Sequence, residues 1–251
     1  MTTRPVRIQI CGRLAIEIDG VRRDSLLPGR QGRLLLTYLV VHRHDDVPRA
    51  QLAAALWPSD PPDAADTAIY ALLSKCRTAL GPDLLSPRGA VRLELPPSGW
   101  VDLETARDAA HRAESALAQR EWSRAWGAAQ TSLFIARRGL LPEEDLHWIV
   151  AIRRELQSLY LRSLETYTAA ALHLGDTELA TAERAGRELI TAAPFRESGY
   201  RLLMRALTAR GNPAEALLVY DHLCRHLRDE LGIAPSLESR DLHAAMLKTS
   251  P

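Results

Sequence analysis

The sequence predicts a mainly α protein with a small β component, in which a mixed domain over residues 1–100 precedes an all-α domain over residues 101–251. Three observations predict it. Period-two alternation of apolar residues is confined to the start of the chain. Helical periodicity runs almost unbroken from Asp102 onward. The composition is rich in Leu and Ala with only 5% aromatic residues, which favours helix over sheet. At 251 residues the chain has room for one large domain or two ordinary ones.

The elements follow in order. Val6, Ile8 and Ile10 alternate with Arg7 and Gln9, and Leu14, Ile16 and Ile18 alternate with Ala15 and Glu17. Both runs have the period of half-buried strands, and Asp19-Gly20 is a hairpin-turn signal. From Gln31 to Val41 the spacing changes to a compact apolar helix carrying Leu34, Leu35, Tyr38 and Leu39, with Arg30 and Arg33 at its start. A second short helix spans about Arg49 to Trp57, with Leu52 and Leu56 on one face, and Pro58, Pro61 and Pro62 end it.

A third helix is expected from Asp63 to Leu80, closed by Gly81. Ile69, Leu72, Leu73, Cys76 and Leu80 form its apolar stripe. Its other face carries Thr67, Tyr70, Ala71, Ser74 and Thr78, flanked by Lys75 and Arg77, with no acidic residue from Thr67 to Gly81. A helix with one apolar side and one small, polar and basic side can lie in a major groove and reach base edges and phosphates. Leu84-Leu85, the turn Pro87-Arg88-Gly89, and alternating Val91, Leu93 and Leu95 then read as a terminal hairpin, with Arg88 at its tip and Arg92 on its outer side.

Strands, three helices and a basic-tipped hairpin are the order of a winged helix-turn-helix. The candidate DNA-binding residues are Arg30, Thr67, Tyr70, Ser74, Lys75, Arg77, Arg88 and Arg92. The competing readings are a small α+β domain whose basic residues are merely solvated, and a helical-repeat scaffold for protein interaction that does not bind DNA.

Asp102 is placed as a helix N-cap. Beyond it, Ala182 and Ala216 lie 34 residues apart, as do Leu189 and Leu223. Both alanines stand in short-residue contexts, ELATAERA and NPAEALLV, where a tetratricopeptide-like repeat needs a small residue between paired helices. Pro194 ends the first of these helices, and a weaker earlier copy surrounds Trp122–Ala125. Stacks of this kind offer a groove for a protein or peptide.

Charge and composition narrow the function. The whole chain carries a net charge of +1. Residues 1–100 hold 13 basic against 10 acidic residues, and residues 101–251 hold 19 against 21, so the head is +3 and the body −2. That asymmetry has the sign of a nucleic-acid-binding head on a protein-binding body. Lys occurs only at Lys75 and Lys248. No long uncharged stretch suits a membrane span, and MTTRPVRIQI lacks the features of a signal peptide. Cys11, Cys76 and Cys224 are scattered and odd in number, the usage expected of reduced, buried cysteines in the cytoplasm.

Phosphate-cradling, zinc-protease, nucleophile-elbow and dinucleotide motifs are absent, so neither an enzyme nor a cofactor is expected. His222, Cys224 and His226 are the best metal candidate. His222 and His226 share a helix face, but Cys224 points elsewhere and no fourth ligand is near in sequence, so no metal is expected either.

At this point both halves together resemble one known family, the SARP-type activators of actinobacterial antibiotic gene clusters. These join a winged helix to a bacterial transcriptional activator domain of tetratricopeptide-like helices. The resemblance is carried by Pro28-Gly29-Arg30-Gln31 before a leucine run, by Leu52-Ala53-Ala54-Ala55-Leu56-Trp57, and by Leu73-Ser74-Lys75-Cys76-Arg77-Thr78-Ala79-Leu80-Gly81. Downstream it is carried by Gly211-Asn-Pro-Ala-Glu-Ala-Leu-Leu-Val-Tyr220 and Leu227-Arg-Asp-Glu-Leu-Gly-Ile-Ala-Pro235. It implies a transcriptional activator that binds direct repeats in promoter DNA as a homodimer and recruits RNA polymerase holoenzyme. The chain departs from the family at Cys76 and Thr78, where an apolar and a basic residue are more usual. Asp60, Asp63 and Asp66 crowd the start of the third helix; carboxylates there stabilise the helix but repel DNA, which implies modest affinity per head.

Overall fold

The computed structural model describes residues 5–86 and 89–249. It is mostly helical with a small sheet, and it forms two compact units that are not consecutive in the chain. The first comprises the chain up to Thr105 together with Arg138–Leu156, and the second comprises Ala106–Arg137 and the chain from Gln157 onward. The boundary thus differs from a single cut at residue 100, because a later segment returns to the first unit.

In the first unit, β1 (Val6–Gln9) pairs antiparallel with β2 (Ala15–Ile18) in the register Val6 to Ile18 and Ile8 to Ile16. Those four residues are buried while Arg7 is exposed, so the period of two has its expected meaning. Asp19 and Gly20 adopt φ of 53° and 77°, the paired left-handed conformations of a tight hairpin turn. The turn leads into β3 (Val21–Arg22), which pairs with β2. β4 (Trp100–Val101) adds to the other edge, parallel to β1, giving the order β3-β2-β1-β4. Strands this short display no periodicity, so neither β3 nor β4 was legible in the sequence.

Three helices follow: α1 (Gly29–Val41), α2 (Arg49–Leu56) and α3 (Ala65–Leu80). Leu34, Leu35, Leu39, Leu52, Leu56, Ile69 and Leu73 are all buried, so the apolar stripes make the core of this unit. Gly32 has no room for a side chain; a Cβ there would stand 2.4 Å from Pro28 Cδ.

Arg138–Leu156 completes the unit. The Gly12 amide donates to the Gly139 carbonyl at 2.8 Å, and Trp148 Nε1 donates to the Ala55 carbonyl at 3.1 Å. The Trp148 ring meets Tyr38 edge-on at 5.1 Å. Arg153 donates to the carbonyls of Leu140, Leu141 and Glu144, fixing the loop before it.

The remaining helices are α4 (Asp102–Ala118), α5 (Trp122–Ala136), α6 (His147–Leu174), α7 (Leu179–Ala192), α8 (Glu197–Ala209), α9 (Pro213–Leu231) and α10 (Leu237–Thr249). The first residues of α4 and of α6 count with the first unit. Within the second unit the repeat register holds. Ala182 and Leu189 on α7 and their counterparts Ala216 and Leu223 on α9 are all fully buried. Ala125, in the weaker copy, is buried with Ala116 and Ala170. Small residues at these positions let helix backbones approach, and Gly186 of α7 does the same against α8, where a Cβ would lie 3.2 Å from Leu203 Cβ. Pro194 follows the end of α7 as expected. Among the described residues, no helix is long and apolar enough to cross a membrane.

Candidate nucleic-acid interface

The candidate surface is built on α3. Ile69, Leu73, Cys76, Ala79 and Leu80 are buried, which fixes the rotation of the helix about its axis. That rotation leaves Thr67, Tyr70, Ala71, Ser74, Lys75 and Thr78 exposed together on the outer side. Leu72, expected in the buried stripe, is half-buried at the edge of the face. Asp63 lies just before the helix, which begins at Ala65, and Asp66 is exposed in its first turn.

The members of the candidate set have different surroundings. Among the described residues Lys75 has no ion-pair partner, so its ammonium is free to meet a polyanion. The Thr78 hydroxyl donates to the Ser74 carbonyl at 3.1 Å, turning Thr78 toward its own helix. Tyr70 is 52% exposed, and the Arg49 guanidinium lies 4.1 Å from its ring centroid with Nη1 donating to the phenol oxygen at 2.6 Å. Arg49 thereby joins the surface, a residue that sequence reasoning missed. Its only sequence signal was a position in the first turn of α2.

Arg77 differs from expectation. It is half-buried, and its Nη2 donates to the Ser86 carbonyl at 2.6 Å, tying α3 to the hairpin that follows. Helical spacing put Arg77 beside the outer face, but its long side chain reaches around to an unpaired carbonyl. Cys76, on the buried side, has its thiol pushed up to about 11 by burial, against a smaller opposing effect of Arg77.

The hairpin after α3 forms around residues 84–94, with the Ser86 amide donating to the Arg92 carbonyl at 3.1 Å and the Glu94 amide to the Leu84 carbonyl at 2.9 Å. Val91 also exchanges both backbone hydrogen bonds with Val47, from the loop between α1 and α2. The hairpin is therefore stitched to the helical core on two sides. Arg88, which the sequence reading put at the hairpin tip, lies outside the described residues. Arg92 is half-exposed and pairs with Asp46 at 2.9 Å, and Arg30 pairs with Glu144, its Nε 2.8 Å from Oε1. Both arginines are thus already matched by carboxylates.

Asp102, expected as the N-cap before a helix, is instead the first residue of α4. It is fully buried; Oδ1 accepts the amides of Ile10 (2.9 Å) and Leu103 (2.8 Å), and Oδ2 accepts that of Cys11 (2.9 Å). One carboxylate therefore joins the end of β1 to the start of α4. Elsewhere, Cys224 is half-buried rather than buried. Among the described residues no group of three or more His, Cys, Asp or Glu could hold a metal.

The chain as a whole is similar to known proteins. The bacterial transcriptional activator domain family matches residues 101–247. The regulatory protein AfsR of Streptomyces coelicolor is 31% identical over 98% of the chain, which spans 24% of AfsR. The transcriptional regulator RedD of the same organism is 25% identical over 98% of the chain and 71% of its own length. A solved structure of Mycobacterium tuberculosis EmbR, in complex with a low-affinity phosphopeptide, aligns over 99% of the chain and 66% of EmbR with a TM-score of 0.84 at 23% identity, a likeness of fold. The chain thus spans about a quarter of AfsR.

Proposed function

This chain belongs to the bacterial transcriptional activator domain family, as a SARP-type regulator, and on that premise we propose that it is a sequence-specific DNA-binding activator of a secondary-metabolite gene cluster. In this reading it binds direct repeats in promoter DNA as a homodimer and recruits RNA polymerase.

The observation that carries the reading is the outer face of α3, where Thr67, Tyr70, Ser74 and Lys75 are exposed while the opposite stripe is locked in the core. Polar side chains on a helix of fixed rotation are what base-edge readout in a major groove requires. Thr67 and Ser74 supply hydroxyls that pair with either donors or acceptors, Lys75 supplies an unpaired charge, and the Arg49–Tyr70 pair supplies a second cation held against an aromatic ring. Arg77 contributes by bracing the hairpin against α3. Arg92 and Arg30 reach phosphate by exchanging Asp46 and Glu144 for the DNA backbone, and Arg88, expected from the sequence alone, is the remaining phosphate contact.

The alanine-spaced helices of the second unit suit contact with a neighbouring subunit or the polymerase. A +3 head with carboxylates at the start of α3 is a weak single anchor, and tethering two heads raises the effective concentration of the second. Repeats spaced by about one helical turn, roughly 10–11 bp, put both heads on one side of the DNA.

The test is fluorescence anisotropy of the full chain on promoter fragments from its own gene neighbourhood over a range of salt concentrations. Lys75→Ala should weaken binding by about 1–3 kcal/mol for a base contact, or lower the salt slope by about one for a phosphate contact. Salt-insensitive or absent binding at low salt refutes the reading in favour of a protein-interaction scaffold. Transcription in vitro with purified RNA polymerase on the same promoter tests activation.

A further inference from the structure

A cavity lies in the first unit, and no residue of α3 lines it. It is a cavity of about 620 Å³ bounded by the β1–β2 connection, the turn at Asp24–Ser25, α1 and the loop 141–144. That volume is within the range of small-molecule pockets. Leu14 and Leu141 give it apolar wall, and Arg13 and Arg33 give it two guanidiniums.

The charges around the cavity do not cancel. Asp24 accepts a 2.6 Å hydrogen bond from Arg22 Nε, and Glu144 is occupied at both carboxylate oxygens by Arg30. Both acids are neutralised by arginines outside the cavity lining. Arg13 and Arg33 are exposed and have no carboxylate partner among the described residues, and Glu143 has no basic partner there. The unpaired set is two cations and one anion, an excess of one positive charge. Leu141 also holds φ of 40°, a conformation uncommon for a side chain of its size, and its carbonyl is held by Arg153. Backbone held this way is found where a wall must keep its shape.

We propose that this cavity binds a small organic anion, its carboxylate or phosphate monoester on Arg13 and Arg33 and its apolar body against Leu14 and Leu141. The guanidinium fork of arginine pairs two oxygens of a carboxylate or a phosphate at once. The apolar lining distinguishes the ligand from a bare inorganic ion.

The experiment is isothermal titration of the full chain with octanoate, octyl phosphate, octanol and inorganic phosphate, on the wild type and on R13A/R33A and E143Q. Octanoate or octyl phosphate should bind saturably, and whichever binds tighter identifies the headgroup. Octanol and inorganic phosphate should bind at least about tenfold more weakly, and R13A/R33A should lose at least about tenfold in affinity. E143Q should bind the anion more tightly, a gain that damage to the fold cannot imitate. Absence of saturable binding by both organic anions up to about 10 mM overturns the proposal. So does octanol binding as tightly as they do, or an affinity unchanged in R13A/R33A.

Discussion

Asp102→Ala should be among the most destabilising single substitutions in the first unit. The carboxylate is fully buried and receives three backbone amides, from Ile10, Cys11 and Leu103. Water does not reach the two strand amides, because Ile10 is 1% exposed and Cys11 is 0% exposed. A buried donor stripped of its acceptor costs about 1–3 kcal/mol, so the loss of two, with a third weakened at the start of α4, sums to about 3–6 kcal/mol. That is a large part of the roughly 5–15 kcal/mol that holds an ordinary domain together. Asp102→Asn keeps one acceptor oxygen and turns an NH₂ toward a backbone N–H, so it should cost about 1–3 kcal/mol.

The assay is urea unfolding followed by far-ultraviolet circular dichroism and tryptophan fluorescence. An Asp102→Ala variant within about 1 kcal/mol of wild type would show that the carboxylate does not clamp β1 to α4. A pH series adds a signed test. Burial raises the Asp102 carboxyl above its ordinary value, and the three backbone hydrogen bonds pull it down only in part. A carboxyl raised by folding contributes stability that is full below its unfolded pKa, near 4, and is lost as pH rises through its folded value. The gap between wild type and Asp102→Ala should therefore narrow from about pH 4 upward.

Three further outcomes follow from the same geometry. Cys76, with its thiol pushed up to about 11 and its side chain buried, should resist iodoacetamide at pH 8 in the native state while half-buried Cys224 reacts, as read by mass spectrometry of the alkylated peptides. Ala216→Leu should destabilise the second unit by about 1–3 kcal/mol in urea unfolding, because the position is fully buried between helices and cannot take the added volume. Arg77→Ala and Lys75→Ala should separate: the first should lower stability by about 1 kcal/mol and leave the salt slope of DNA binding unchanged, and the second should leave stability unchanged and weaken DNA binding or lower its salt slope.

What the sequence disclosed divides by the range of the interaction. Strand alternation, the stripes of α1 to α3 and the 34-residue echo of alanine and leucine were legible because each is periodic and local; a burial pattern repeats at the spacing of the element that produces it. The parallel strand at Trp100–Val101 was not, since two residues hold no period and their partner lies at Arg7–Ile8. The return of Arg138–Leu156 to the first unit was hidden for a related reason. Its contacts are a ring edge on Tyr38, an indole hydrogen bond to Ala55 and a guanidinium gathering loop carbonyls, and none of these leaves a pattern along the chain.

The candidate interface obeys the same division. Helical rotation alone exposed Thr67, Tyr70, Ser74 and Lys75 together, because the apolar stripe of α3 fixes where its other side points. The arginines escaped that logic. A guanidinium on a flexible stem goes to the nearest strong acceptor, and four of them settled on Ser86, Glu144, Asp46 and the ring of Tyr70. The rotation of one rigid helix therefore sets this candidate surface, and on the proposed reading the arginines around it would reach DNA only where phosphate outcompetes the acceptors they already hold.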